Sequence, residues 1–208
     1  MAVVVSFPQT SKWAKPPVRQ PNVQTRAREY LTPDEVERMI GAARRAGGRM
    51  AERDGLLILL AYRHGLRASE LIALRWDQVD LDAGLLHVSR LKHGTASTHP
   101  IRGPELRALR AWRREQGGTS GAPYVFTSLR GGPMTRRTVH HVVAEAAKAA
   151  SIEFPVHPHM LRHATGFYLA NAGQDTRAIQ LYLGHKNIQH TVRYTELAAG
   201  RFKDCWKD

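Results

Sequence analysis

The chain predicts an α+β fold, mainly α-helical with a small antiparallel β-sheet, and three observations carry the prediction. Apolar residues recur at helical spacing in segments punctuated by glycine and proline, residues 76–101 switch to short alternating runs, and helical spacing returns after them. In 208 residues this allows one sizeable core or one domain with an arm, without staples.

Residues 1–28 hold Pro8, Pro16, Pro17 and Pro21 among Lys12, Lys15, Arg19, Arg26 and Arg28, which predicts a flexible basic arm ahead of one domain over residues 29–208. The first helix opens at Thr32, a cap, with Pro33 suited to the first helical position and Glu35 closing a capping box; it runs to about residue 46. Residues 50–64 carry the densest apolar run, ended by Gly65, so they predict the buried central helix. A short helix to about residue 74 then starts at Arg67. Turns at Asp82-Ala83-Gly84 and His93-Gly94 divide the alternating runs into a small antiparallel sheet, with Lys92 near a hairpin tip. A helix over residues 104–115 stops at Gly117-Gly118, and Tyr124-Val125-Phe126 predicts a short strand or buried extended segment. Residues 135–150 predict a well-capped helix with Arg136, Arg137, His140 and His141 in its first turns; the remainder is helical in short pieces.

The 31 lysines and arginines against 18 acidic residues give a formal charge of +13 and a pI near 10.6. In a chain without a membrane-length apolar run this points toward a polyanion, most often nucleic acid, although a merely basic scaffold has the same totals. Cys205 is the lone cysteine and cannot form an internal disulfide, which suits a reducing cytoplasm. The opening Met1-Ala2-Val3-Val4-Val5 is too short for a signal segment, so the expected location is cytoplasmic, at the nucleoid.

The chemistry concentrates in the last third. His159 and Arg162 stand at helical i, i+3, followed by Gly184-His185 and by Tyr194 among Thr191, Arg193, Thr195 and Glu196. Tyr194 is either an ordinary half-buried aromatic or, given these polar neighbours, a nucleophile, whereas Tyr62, Tyr124, Tyr168 and Tyr182 sit in more apolar company and are the better core candidates. Arg67, followed by Glu70, offers a guanidinium fork that matches two phosphate oxygens, or simply serves a helix N-terminus. Lys92 is either a solvated edge charge or a general acid. His157, His159 and His163 suggest a metal, but no carboxylate or thiolate completes the set and Arg162 disfavours a divalent ion. No phosphate loop, zinc cysteine set or nuclease-like carboxylate pair is present, so metal-free and ATP-free chemistry is expected, with no cofactor.

Taken in order, Arg67 in Gly65-Leu66-Arg67-Ala68-Ser69-Glu70, Lys92, His159-Met160-Leu161-Arg162, Gly184-His185 and Tyr194 resemble the tyrosine recombinases, the phage integrase family, over roughly residues 30–208. The stretches Arg90-Leu91-Lys92, Thr98-His99-Pro100 and Ala199-Gly200-Arg201-Phe202 are similar to the short Fim-type DNA invertases, which invert a promoter segment. The resemblance implies a catalytic domain with Tyr194 as nucleophile, Arg67 and Arg162 on the phosphate oxygens, His159 taking the phenolic proton, Lys92 protonating the leaving oxygen and His185 bonding the phosphate. It further implies paired sites on double-stranded DNA, a homotetramer, DNA-bending accessory proteins, and base or backbone contacts from Arg136, Arg137 and His140. The larger integrases carry a separate N-terminal DNA-binding domain for which there is no room before residue 30. Rival readings are a non-catalytic sequence-specific regulator of the same fold, a relaxing enzyme of topoisomerase IB type and a resolvase of replicon dimers. The tail spacing of Phe202 and Trp206 suits docking on a neighbour or on its own domain.

Overall fold

The computed structural model describes residues 29–90, 95–117 and 123–196. The basic arm, Lys92 and the Phe202–Trp206 pair lie outside the described residues. In chain order the elements are α1 (Pro33–Arg45), α2 (Ala51–Arg63), α3 (Ala68–Ala73), a 3₁₀ turn (Trp76–Gln78), β1 (Val79–Asp80), β2 (Leu85–Val88) and β3 (Ser97–Pro100). These are followed by α4 (Gly103–Glu115), α5 (Arg136–Ala149), α6 (Pro158–Asn171), α7 (Thr176–Leu183) and α8 (Gln189–Glu196). The mainly helical α+β expectation holds.

The capping box at Thr32 forms as its residues dictate. The Thr32 hydroxyl accepts from the Glu35 amide at 3.3 Å, and the Thr32 amide donates back to the Glu35 carboxylate at 2.8 Å. Helix α2 is buried from Leu56 through Tyr62 because it is covered by α1, α4 and α6. Its apolar residues extend all round instead of forming one stripe, as a helix without a solvent face requires. The sheet has order β1-β2-β3, antiparallel throughout, with Leu86 opposite both Val79 and His99. At the expected segment Tyr124-Val125-Phe126 the burial holds but not the strand: Tyr124 and Thr127 each make an isolated bridge, to Arg75 and Pro133, and between them the chain bends at the fully buried Val125 and Phe126, with the Val125 carbonyl accepting from the Trp112 indole at 2.7 Å.

A buried polar network ties the sheet to the helices. His64 on the end of α2 lies 2.7 Å from the Glu105 carboxylate through Nε2 and 3.1 Å from His99 through Nδ1. The other His99 nitrogen meets the Ser97 hydroxyl at 2.8 Å, and its ring stacks on Tyr182 at 3.9 Å. Burial, then the charges of His64 and Arg90, push His99 down to about 3, so it serves as a neutral link. Among the described residues, no helix is long and apolar enough to cross a membrane.

Candidate active site

Gly65 adopts φ +58, turning the chain sharply out of α2 so that Arg67 becomes the N-cap of α3. The Arg67 guanidinium donates to Glu70 at 2.7 Å, and its backbone amide donates to the other Glu70 oxygen at 2.9 Å. Glu70 thus does both things expected of it here, capping the helix through the Arg67 amide and orienting the guanidinium. That second Glu70 oxygen also accepts from Arg90 at 2.9 Å. Arg90 has a fully buried side chain, whereas that of Arg67 is 31% exposed. The carboxylate thus anchors one arginine as structure and tethers the other toward solvent.

Arg162 is wholly buried on α6. It donates to the carbonyls of Gly65 at 2.5 Å and Leu183 at 2.6 Å, while its buried Nε has no hydrogen-bond partner among the described residues. Burial, then repulsion from Arg67 and Arg90, lowers it to about 9. A guanidinium in this state gains from an arriving anion.

Gly184 ends α7 at φ +65, and a Cβ there would meet the Arg90 side chain at 2.8 Å, so conformation and space both demand glycine. The next residue, His185, shares a 2.8 Å hydrogen bond with the Thr191 hydroxyl on α8, and its carbonyl accepts from Gln180 at 3.0 Å. Burial, then Arg162 and Arg67, hold His185 down to about 3. His159, in the first turn of α6, presents an open surface; loss of water around its ring, then Arg162 and His157, bring it to about 4. Arg67 and His185 border an open cleft of about 660 Å³ whose rim adds Arg177, Lys186 and His190. Of the expected side chains only Arg67 and His185 line this cleft; Arg162 lies behind them on the carbonyls of Gly65 and Leu183, and the Tyr194 ring is 6.3 Å from that of His185.

Tyr194 departs from expectation. It is 1% exposed, one of the largest fully buried side chains, while Tyr168, expected in the core, is 48% exposed. The reason lies on α6. Gly166 leaves a flat notch against which the Tyr194 ring lies, and Phe167 meets that ring edge-on at 5.1 Å. His163 supplies a polar partner at the end of this seat, its Nδ1 2.8 Å from the phenol oxygen. The phenol is thus joined to His163, where the sequence pointed to His159. Burial raises the Tyr194 pKa, partly offset by Arg193 and Arg162. His163 itself is driven down to about 2 by burial, then by His159, Arg193 and Arg162.

Sequence reasoning thus missed His163 as a phenol partner, Arg90 as a buried anchor and Thr191 as the hydroxyl holding His185. The available signal for the first was spacing: His163 and Gly166 are i, i+3, so they share a face. Gly166→Ala provides a direct check. In an ordinary helix interior this change gains about 1 kcal/mol, but here the added carbon would lie 2.6 Å from the Tyr194 ring. The expected result is a loss of roughly 1–3 kcal/mol in urea unfolding, as for overpacked cores; an increase in stability would show that the ring is not seated there.

Arg136, Arg137 and His140 are exposed on the first turns of α5, whose opposite face buries Val139, Val142, Val143, Ala146 and Ala147. Thr135 caps this helix by accepting from the Thr138 amide at 3.2 Å. Among the described residues, no three His, Cys, Asp or Glu side chains group as a metal site.

A helical domain that gathers arginines and histidines about a tyrosine is the arrangement of the tyrosine recombinases, and residues 29–201 match the phage integrase family, to which this chain belongs. Among curated proteins it is 44% identical over 183 residues to the type 1 fimbriae regulatory protein FimE of Escherichia coli K12, covering 86% of this chain and 91% of that one. It is also 37% identical over 180 residues to the tyrosine recombinase XerC of Xanthomonas campestris pv. campestris, covering 86% of this chain and 55% of XerC. The crystal structure of XerA recombinase superposes with a TM-score of 0.73 at 26% identity, over 90% of this chain and 67% of that one.

Proposed function

We propose that this chain cuts and rejoins double-stranded DNA at specific paired sites through a 3′-phosphotyrosyl link on Tyr194. The observation that supports it most is electrostatic: Arg67 lies close enough to lower His159, Arg162 and His185, and Arg162 acts on both histidines and on Tyr194. Such a cluster favours a dianionic phosphorane over a bound monoanionic diester, and each preorganised donor of this kind is worth on the order of 10²-fold in rate. Arg67 and Arg162 take the nonbridging oxygens, His159 and His185 hydrogen-bond the phosphate, and Lys92 protonates the departing 5′ oxygen. The bond energy is kept in the phosphotyrosine, so the freed 5′-hydroxyl of a partner strand reseals it without ATP or metal.

Residues 29–208 act as the catalytic domain and residues 1–28 as a basic arm along the DNA backbone. On α5, Arg137 and His140 read bases and Arg136 holds phosphate. Exchange between two sites calls for four protomers, and DNA-bending proteins assist the pairing. The likeness to FimE favours inversion of a segment that controls transcription, with integration as the same chemistry on differently arranged sites.

Burial of Tyr194 favours one rival, a regulator that binds DNA without cutting it. A nicked suicide duplex bearing the recombination site separates the two. The recombinase accumulates a covalent protein–DNA adduct stable to denaturant; a regulator retards the same duplex in a gel but leaves none.

A further inference from the structure

Helix α6 carries His159, His163, Gly166 and Phe167 on one face, spaced by four, three and one residues. The two histidines are not equivalent. His159 is exposed, and its ring stands edge-on to that of His163 with centroids 4.4 Å apart. His163 is half-buried and is the ring in hydrogen-bond contact with the nucleophilic oxygen, at 2.8 Å. A buried phenol needs an acceptor for its hydrogen, since leaving it unmade costs the full desolvation of the group. In the tautomer that carries its hydrogen on Nε2, His163 accepts the phenolic hydrogen at Nδ1.

We propose that His163, and not His159, is the catalytic residue that takes the phenolic proton of Tyr194 and returns it during rejoining; the assignment rests on the recombinase reading above. As the Tyr194 oxygen bonds to phosphorus, its proton moves to His163 Nδ1. The bond from phosphorus to the 5′ oxygen breaks, its electron pair leaves with that oxygen, and Lys92 supplies the proton that makes it a hydroxyl. Resealing reverses each transfer, so neither protons nor electrons are consumed over the cycle.

The charged surroundings give this arrangement a substrate dependence. Arg193 of α8 faces the His163 ring, its Nη2 3.1 and 3.2 Å from the two ring nitrogens, and is itself paired with Glu29 at 2.9 Å. His159 and Arg162 of α6, and His157 at its N-cap, add to the field that keeps the imidazole neutral. A phosphodiester seated on Arg162 brings an opposing negative charge, which strengthens Nδ1 as an acceptor. The base therefore gains strength as the scissile phosphate arrives, and the tyrosine stays a neutral phenol in its absence.

His163→Asn tests the assignment, because an amide oxygen near the position of Nδ1 still accepts the hydrogen bond but cannot take the proton. The readout is single-turnover adduct formation on two nicked duplexes, one with the natural 5′ bridging oxygen and one with sulfur there, whose departure needs no acid. The variant is expected to retard DNA like the unaltered chain and to lose on the order of 10²-fold in adduct rate on both duplexes near neutral pH. Its rate then climbs over roughly pH 7 to 9 as hydroxide replaces the missing base. His159→Asn, altered at a phosphate contact, keeps the pH slope of the unaltered chain. Rates matching or exceeding the unaltered chain, or recovery of His163→Asn on the sulfur duplex alone, would overturn the proposal. Should His163→Asn lose DNA binding, His163→Gln under the same two-duplex comparison decides the matter by the same criteria. If the unaltered chain forms no adduct on either duplex, it is the recombinase reading itself that fails.

Discussion

Tyr194→Phe is expected to give no covalent adduct on a nicked duplex while retarding that duplex as the unaltered chain does. The change removes only the hydroxyl and its bond to His163. A phenyl ring still fits the notch at Gly166 and still meets Phe167 edge-on. The cost in stability is therefore about 1 kcal/mol, that of one hydrogen bond. Arg67, Arg162 and His185 keep their anchors in the Glu70 carboxylate, two backbone carbonyls and the Thr191 hydroxyl. Affinity for the site is accordingly preserved, and the chemical step is lost outright because no other group holds the nucleophile's position. Persistence of adduct would assign the attack to a different side chain.

Glu70→Ala carries the largest expected effect on the fold. The carboxylate is 4% exposed and bridges two guanidiniums, one of which, on Arg90, is completely buried. Removing one partner of such a pair leaves an uncompensated interior charge, at a cost of about 3–5 kcal/mol. Burial already depresses Arg90, with Glu70 the chief counterweight, so the direction of the effect is set. Urea unfolding should show the loss, and Glu70→Gln, which retains an acceptor oxygen, should show less of it. Combining Glu70→Ala with Arg90→Met should recover part of the stability, because the stranded charge goes with its partner. Arg67 is untethered in either case, so the rate of adduct formation falls as well. If Glu70→Ala behaved like a surface substitution, the bridging role would be wrong.

Much of this architecture could be read from local chemistry. Thr32 and Thr135 cap helices as their hydroxyls require, Gly65 and Gly184 take left-handed conformations, and the alternating residues 76–101 pair as an antiparallel sheet. Arg67 followed three residues later by a glutamate reads as a cap, and Arg162 and His185 follow from their motifs. What escaped depends on contacts between distant segments. Tyr194 is surrounded in sequence by polar residues, yet its seat is made by Gly166 and Phe167 on another helix, so local polarity gave the wrong burial. Tyr168 has apolar neighbours in sequence but projects outward from α6. Nothing local marks Arg90 as buried; its partner Glu70 is brought to it from α3. The sequence pointed to His159 for the phenol, whereas the approach of α8 sets the Tyr194 oxygen against His163.

Arg162 fastens the chain leaving α2 to the last residue of α7 by grasping a carbonyl of each. Those two peptide segments lead directly into Arg67 and His185, so the side chain that rivets the scaffold is the same one to which the proposed function gives the role of electrode. A lineage that gave up strand cleavage could discard Tyr194 at small mechanical cost, yet discarding Arg162 would let the two segments drift apart. Inactive descendants of this molecule are therefore expected to retain that arginine long after they have lost the phenol.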